Sequence, residues 1–237
     1  MIIGLLTGRG GNQNLPDKNV YPVCGRPLLW YPLQSGKRAK LLDDIYLSTE
    51  DPKIKEVAAG LGVEIIDRPP QFARPDSQHD ECMLHAVEEL ARRGVEVDIL
   101  VVLMCNVGIQ PEGKVDACVQ ALLDDPELDS AVTMRDWGDH HPTRAKRIGT
   151  DGLLEPLVPV SGNVTTTRQL LGDCYFMDHQ VWALRVKRCF RPDGQPPWKF
   201  LGRKVKGVMN EDIVVDVHTL ADIRYTEMWV SATTRQG

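Results

Sequence analysis

Residues 5 to 19 read Leu5-Leu6-Thr7-Gly8-Arg9-Gly10-Gly11-Asn12-Gln13-Asn14-Leu15-Pro16-Asp17-Lys18-Asn19, and they continue an apolar run that starts at Met1. An apolar run that passes straight into glycines is a strand feeding a tight loop. Gly10 and Gly11 let the backbone turn sharply and bring bare N–H groups against an anion. Arg9 and Lys18 add a cation near each end of the loop. The pattern predicts a cradle for a polyphosphate. It is not a P-loop, since no Gly-Lys-Ser/Thr closes it, and it lacks the G-x-G-x-x-G of a dinucleotide site.

Outward from this loop, apolar runs alternate with amphipathic stretches, the pattern of an α/β fold with an open, mainly parallel sheet covered by helices. Met1 to Leu6, Asp44 to Leu47, Val63 to Ile66, Val97 to Met104 and Ala131 to Met134 read as strands, as do Cys174 to Leu184 and Asp212 to Val217. Pro27 to Arg38, Pro52 to Leu61, Glu81 to Arg93, Pro111 to Leu123 and Leu220 to Trp229 read as helices. Asp51 is placed to cap the second of these and Gly62 to end it. In open sheets of this kind ligands bind beyond the carboxyl ends of the strands, which puts the loops at 7–19, 67–80 and 105–110 on one rim.

If Asp212 to Val217 is a strand, its side chains alternate, so Ile213, Val215 and Val217 face the core. Asp216 and His218 then share the opposite edge. That edge can hold a divalent metal. Asp216 alone suits Mg²⁺ with phosphate oxygens, whereas ligation by His218 favours Mn²⁺ or Co²⁺. The other reading is that His218 simply ends the strand.

A chain of 237 residues with 42% apolar content can bury one substantial core, so a single domain over residues 1–237 is expected. A net charge of −5 offers no footprint for nucleic acid or for an anionic membrane. No apolar stretch approaches the ~18 residues of a membrane span. These observations predict a soluble, cytoplasmic protein. The six cysteines lack C-x-x-C spacing and fit reduced thiols better than a zinc site or disulfides.

The order of residues in the first loop resembles that of the cytidylyltransferases that make CMP-activated sialic acids and related nonulosonic acids. Arg9, Gly10, Gly11, Leu15, Pro16, Lys18 and Asn19 keep that family's spacing, while Gln13 replaces a lysine and Asn12 a serine. Asp67-Arg68-Pro69-Pro70-Gln71-Phe72-Ala73, followed by Ser77 and His79, resembles the family's second loop. The resemblance implies a Rossmann-like nucleotidyltransferase fold. It implies a nucleotide site of Gly8, Arg9, Gly10, Gly11, Gln13, Lys18, Asn19, Arg68, Ser77 and His79. Arg9, Lys18 and Asp216 would be catalytic, and Asp216 would hold Mg²⁺ or Mn²⁺. The stretch from about 137 to 167, entered through His140-His141-Pro142, resembles an inserted dimerisation arm, so a homodimer is implied; an ordinary surface excursion is the alternative.

The departures bear on the acceptor. Met104 stands where sialic acid synthetases resemble a glutamine that bonds sugar hydroxyls, and it cannot replace that amide as donor and acceptor. Asn106 follows in the same loop. Arg168 lies ten residues before Asp178, the spacing at which the family holds the sugar carboxylate and the sugar itself. Met104, Asn106, Arg168 and Asp178 are therefore the candidate acceptor residues. The expected activity joins CTP to a small acidic sugar and releases pyrophosphate. The alternatives are the same fold with another nucleotide or acceptor, such as a sugar phosphate or phosphonate, and a non-catalytic nucleotide-binding relative. Gln13 removes one cation, which in such a site costs on the order of 10²–10³ in rate unless another replaces it.

Overall fold

The computed structural model describes residues 1–136, 140–159, 165–167 and 170–234. β1 (Ile2–Thr7) leads into the glycine-rich loop and a short 3₁₀ turn at Lys18–Val20. β2 (Pro22–Val23) and β3 (Arg26–Pro27) pair as a small hairpin before α1 (Trp30–Arg38). β4 (Asp44–Thr49), α2 (Pro52–Gly60), β5 (Glu64–Asp67), α3 (His79–Arg92) and β6 (Ile99–Met104) follow. Then come α4 (Lys114–Asp124), β7 (Ser130–Asp136), the hairpin of β8 (Lys146–Ile148) and β9 (Leu154–Pro156), β10 (Tyr175–Arg185), β11 (Val205–Met209) and α5 (Leu220–Thr234).

Seven strands form the main sheet in the order β11-β7-β10-β6-β1-β4-β5. β10 runs antiparallel to its neighbours β6 and β7, while β1, β4, β5 and β6 are parallel. Both faces are covered, which explains the unbroken apolar runs in the central strands. Along β6, Leu100, Val102 and Met104 join a core with Met83 and Leu90 of α3, while Val101 and Leu103 join one with Leu33 of α1 and Val119 of α4.

Local chemistry sets the helix starts. Asp51 accepts from Lys53 N at 2.8 Å and Ile54 N at 3.0 Å, with Pro52 in the first turn, so α2 begins where the cap allows. Gln78 and Glu81 form a reciprocal box at the start of α3.

The expected strand at Asp212 to Val217 is not formed. The seventh strand is β11, whose pairing along β7 ends where Asn210 N donates to Met134 O at 2.7 Å. The chain then leaves the sheet, and Val217 N donates to Asn106 O at 2.9 Å. Val214 and Val217, three residues apart, are the buried side chains of this segment, and Ile213 is exposed. The alternating faces predicted for it are therefore not realised, because no neighbouring strand imposes a pleat.

Candidate active site

The carboxyl ends of β1, β4, β5 and β6 share one edge, and a cavity of about 310 Å³ opens over it, lined in part by Thr7, Arg9, Lys18, Arg68, Arg74 and His79. The glycines are steric necessities here. A Cβ at Gly8 would stand 3.0 Å from Cys105 Sγ, and one at Gly10 would stand 2.2 Å from Asp51 Oδ2. Gly11 takes a left-handed φ of +66°. Asn12 Oδ1 accepts from the backbone N–H groups of Asn14 and Leu15, and Asn19 Nδ2 donates to Arg9 O at 2.9 Å. These two side chains brace the loop from within. Gln13 is exposed, outside the lining of this cavity.

The second predicted loop lies opposite. Arg68 is buried, with Nε on Ser48 Oγ at 3.2 Å and Nη2 on Ser48 O at 2.8 Å, which leaves Nη1 facing Glu50 Oε2 at 3.8 Å. Arg9 Nη1 donates to Arg74 O at 2.6 Å, tying the two loops together across the cavity. Ser77 Oγ donates to Gln71 O at 2.8 Å. His79 Nε2 meets Thr7 Oγ1 at 3.1 Å, and burial, with help from the nearby Arg68 charge, pushes its imidazole down to about 4. The ring is neutral at ordinary pH and serves as a hydrogen-bonding wall.

The 212–218 segment closes the remaining side. Lys18 Nζ donates to Val217 O at 3.1 Å, and Asn106 Nδ2 reaches the same oxygen at 3.4 Å. Burial lowers the pKa of Lys18, and the Asp216 charge opposes that fall. Asp216 lines this cavity and also a second one of about 720 Å³. Its Oδ1 is buried with no hydrogen-bond partner among the described residues, and its Oδ2 lies 3.8 Å from His218 Nε2. Among the described residues no three His, Cys, Asp or Glu side chains converge into a ready-made metal cage. An orphaned carboxylate oxygen does fit a cation whose other ligands come from phosphate and water.

The candidate acceptor residues divide. Met104 and Asn106 line the first cavity, with Met104 almost buried in the core against α3. Asp178 lines the second cavity, but its carboxylate is already held by Thr133 Oγ1 at 2.5 Å, Gln180 N at 3.0 Å and Asn210 Nδ2 at 2.6 Å. Its hydrogen-bonding capacity is largely used inside the protein. Arg168 lies outside the described residues.

Three residues with a claim on the site escaped the sequence reading. Arg74 brings a further cation to the first cavity. Glu50 Oε1 accepts from Gly10 N at 2.7 Å, so a carboxylate holds one of the loop amides. His179 lines the second cavity from a bulge in β10. Glu50 follows directly on a strand that points at the rim and Arg74 lies in the 67–80 loop on that rim, which were usable signals; His179 had none.

A family model for cytidylyltransferases matches residues 3–134. The N-acylneuraminate cytidylyltransferase of Oncorhynchus mykiss is 30% identical over 99 residues, which are 42% of this chain and 22% of that protein. The 3-deoxy-manno-octulosonate cytidylyltransferase of Bdellovibrio bacteriovorus is 24% identical over 147 residues, 62% of this chain and 53% of that one. The matched part thus spans between about a fifth and about half of these relatives. Among solved structures, a CMP:2-keto-3-deoxy-manno-octonic acid synthetase complexed with CTP superposes with a TM-score of 0.68 at 15% identity, covering 98% of both chains. A 4-diphosphocytidyl-2C-methyl-D-erythritol synthase from Anaerococcus prevotii gives 0.64 at 14% identity, covering 97% of this chain and 98% of that one. These two likenesses establish a shared fold. The family model takes in every parallel strand that frames the first cavity, from β1 through β6, and the chain belongs to the cytidylyltransferase family.

Proposed function

We propose that the chain transfers a cytidylyl group from CTP to a hydroxyl of a small acidic sugar of the nonulosonate or octulosonate kind, releasing pyrophosphate. The observation that carries this reading is the meeting of two cavities at Asp216, one rich in cations and one with room for an acceptor. The acceptor oxygen would attack the α-phosphorus in line, the bond to the β-phosphate oxygen would break, and the hydroxyl proton would be lost. Positioning and charge stabilisation would supply the catalysis, with no covalent intermediate.

In this reading Arg9, Lys18 and Arg74 hold the triphosphate, and Arg74 offsets the lysine missing at Gln13. Arg68, Ser77 and His79 border the nucleotide, and Asn19 braces the loop. Asp216, with or without His218, would hold Mg²⁺ or Mn²⁺, a cation that would neutralise charge on the phosphates. CTP as substrate fits a cytoplasmic reaction. The relatives named as N-acylneuraminate and 3-deoxy-manno-octulosonate cytidylyltransferases support the acceptor class.

The β8–β9 hairpin exposes Ile148, Leu153, Leu154 and Leu157 at 74%, 66%, 68% and 55%, an apolar surface suited to a second copy of the chain. A homodimer is proposed on that ground. Sedimentation velocity checks it, and a monomer at micromolar concentration would refute it.

A second acceptor class is favoured by one observation. The described lining of the second cavity carries Asp178, Asp216 and Asp222 but no lysine or arginine, which suits an acceptor with less negative charge. Pyrophosphate release with each nucleoside triphosphate, paired with N-acetylneuraminate, 3-deoxy-manno-octulosonate and an uncharged sugar, separates the readings. Turnover with CTP and a keto-acid sugar supports the main one. CTP binding without turnover of any acceptor would favour a non-catalytic relative.

A further inference from the structure

β10 carries a fault in its pairing with β7. Met177 pairs with Met134 and Trp182 with Val132, so the residues between them bulge out of register. Two of them are clamped on one side of the sheet. Asp178 is held by Thr133 and Asn210, and Gln180 donates to Pro111 O at 2.9 Å while accepting from Asn210 Nδ2 at 2.7 Å. Both are buried.

His179 lies between them with φ at +64°, a left-handed backbone that a residue with a Cβ rarely adopts. Its ring, like the neighbouring Asp178, joins the lining of the second cavity. There the imidazole is held edge-on between two indoles, 5.5 Å from Trp182 and 5.9 Å from Trp198. Trp182 in turn packs against His79 of the first cavity at 5.3 Å. A side chain held in a strained backbone and walled by rings is positioned more tightly than packing alone requires.

The ring also has a polar vacancy. His179 Nδ1 is buried with no hydrogen-bond partner among the described residues. A buried acceptor lone pair without a partner costs less than a buried N–H without one, so the proton belongs on Nε2. That N–H is the polar group the ring can offer the cavity it lines, and the described lining there has no lysine or arginine.

We propose that His179 binds the acceptor substrate, donating from Nε2 to one of its carboxylate, carbonyl or hydroxyl oxygens while Trp198 and Met134 border its apolar face. This rests on the cytidylyltransferase reading above and adds to it the residue that selects the acceptor. The bulge then has a purpose, since it takes this position out of the strand's regular alternation and leaves the ring in the cavity that Asp216 also lines.

The test uses His179→Gly, which removes the ring and suits the left-handed backbone, and His179→Asn, which tolerates that backbone and restores an N–H donor. Initial rates with CTP are measured against N-acetylneuraminate and 3-deoxy-manno-octulosonate. Expected for His179→Gly is a rise in acceptor KM of about tenfold, the loss of one good hydrogen bond, with the KM for CTP changed by less than about twofold. His179→Asn should recover part of the loss. The melting temperature of His179→Gly should equal or exceed that of the unmodified chain, because strain is relieved. An unchanged acceptor KM would overturn the assignment, and so would a fall in melting temperature of more than about 5 °C, which would make the ring a packing element. If the unmodified chain turns over neither acceptor, the failure belongs to the proposed activity, and the melting comparison alone decides whether the ring is held for binding or for packing.

Discussion

The backbone N–H of Gly10 donates to the Glu50 carboxylate at 2.7 Å, so part of the glycine-rich cradle is occupied by a side chain from the end of β4. The other Glu50 oxygen is buried and faces Arg68 Nη1 at 3.8 Å. One carboxylate therefore draws on an amide and on a cation that border the proposed triphosphate site. A bound phosphate would meet its negative charge.

Glu50→Gln keeps the oxygen that accepts from Gly10 and removes the charge. CTP affinity should rise about three- to tenfold at low ionic strength, on the order of 1 kcal/mol, and the gain should shrink with added salt. Calorimetric titration at two salt concentrations measures both effects. A loss of affinity would mean that Glu50 is needed to hold Arg68 in place.

Arg9 joins the two loops through Arg74 O and brings a guanidinium to the first cavity. Arg9→Ala should weaken CTP binding about 10- to 100-fold and abolish measurable turnover, since it removes a charge-assisted donor and loosens both walls. Unchanged CTP affinity in the same titration would remove Arg9 from the site.

Asp216 has an oxygen without a hydrogen-bond partner among the described residues, between the two cavities, whereas the His218 side chain is mostly exposed. Asp216→Asn should lower turnover by about 10²–10³ with every divalent ion, while His218→Asp should change mainly the ratio of rates with Mn²⁺ and Mg²⁺. Pyrophosphate release across a metal series reads both variants. Normal turnover by Asp216→Asn would place the metal elsewhere.

His79 supplies a pH test. Its pKa falls from 6.5 to about 4 in the folded protein because burial, aided by Arg68, disfavours the charged ring. The unfolded chain therefore binds this proton first, and stability is lost as pH drops from 6.5 towards about 4, reaching on the order of 3 kcal/mol. Above 6.5 the residue contributes no slope. His79→Gln should lose about 2 kcal/mol less than the unmodified chain between pH 7.5 and pH 5, as read by denaturant unfolding. Parallel losses would show that the ring is not held neutral.

The glycine-rich loop was legible because most of its signal is local, although Gly8 and Gly10 are required by contacts with the distant Cys105 and Asp51. Asn12 and Asn19 bond within the loop, and Gly8, Gly10 and Gly11 stand where a side chain or an ordinary φ would not fit. The parallel strands were legible because burial on both faces writes an unbroken apolar run. Asp212 to Val217 was misread because Ile213, Val214, Val215 and Val217 look like a strand, and only the partner of an edge decides. β11 holds that place instead, although its exposed Lys206 and Gly207 give a weak apolar signal. Asp178 was expected at the acceptor from its spacing to Arg168, whereas its capture by Thr133 and Asn210 comes from distant parts of the chain. His179 was missed because a left-handed φ at histidine leaves no trace in spacing or composition.

The bond from Lys18 Nζ to Val217 O joins residues 199 positions apart. On a ribosome, the glycine-rich loop emerges early and the strands that frame it soon afterwards, yet the wall carrying Asp216 comes only after nearly all of the sheet has been made. A nascent chain can therefore present the amides of the glycine-rich loop well before it has the Asp216 carboxylate proposed to complete the site. On the proposed reading, competence for nucleotide chemistry is set late in synthesis, by a segment that adds no strand to the fold.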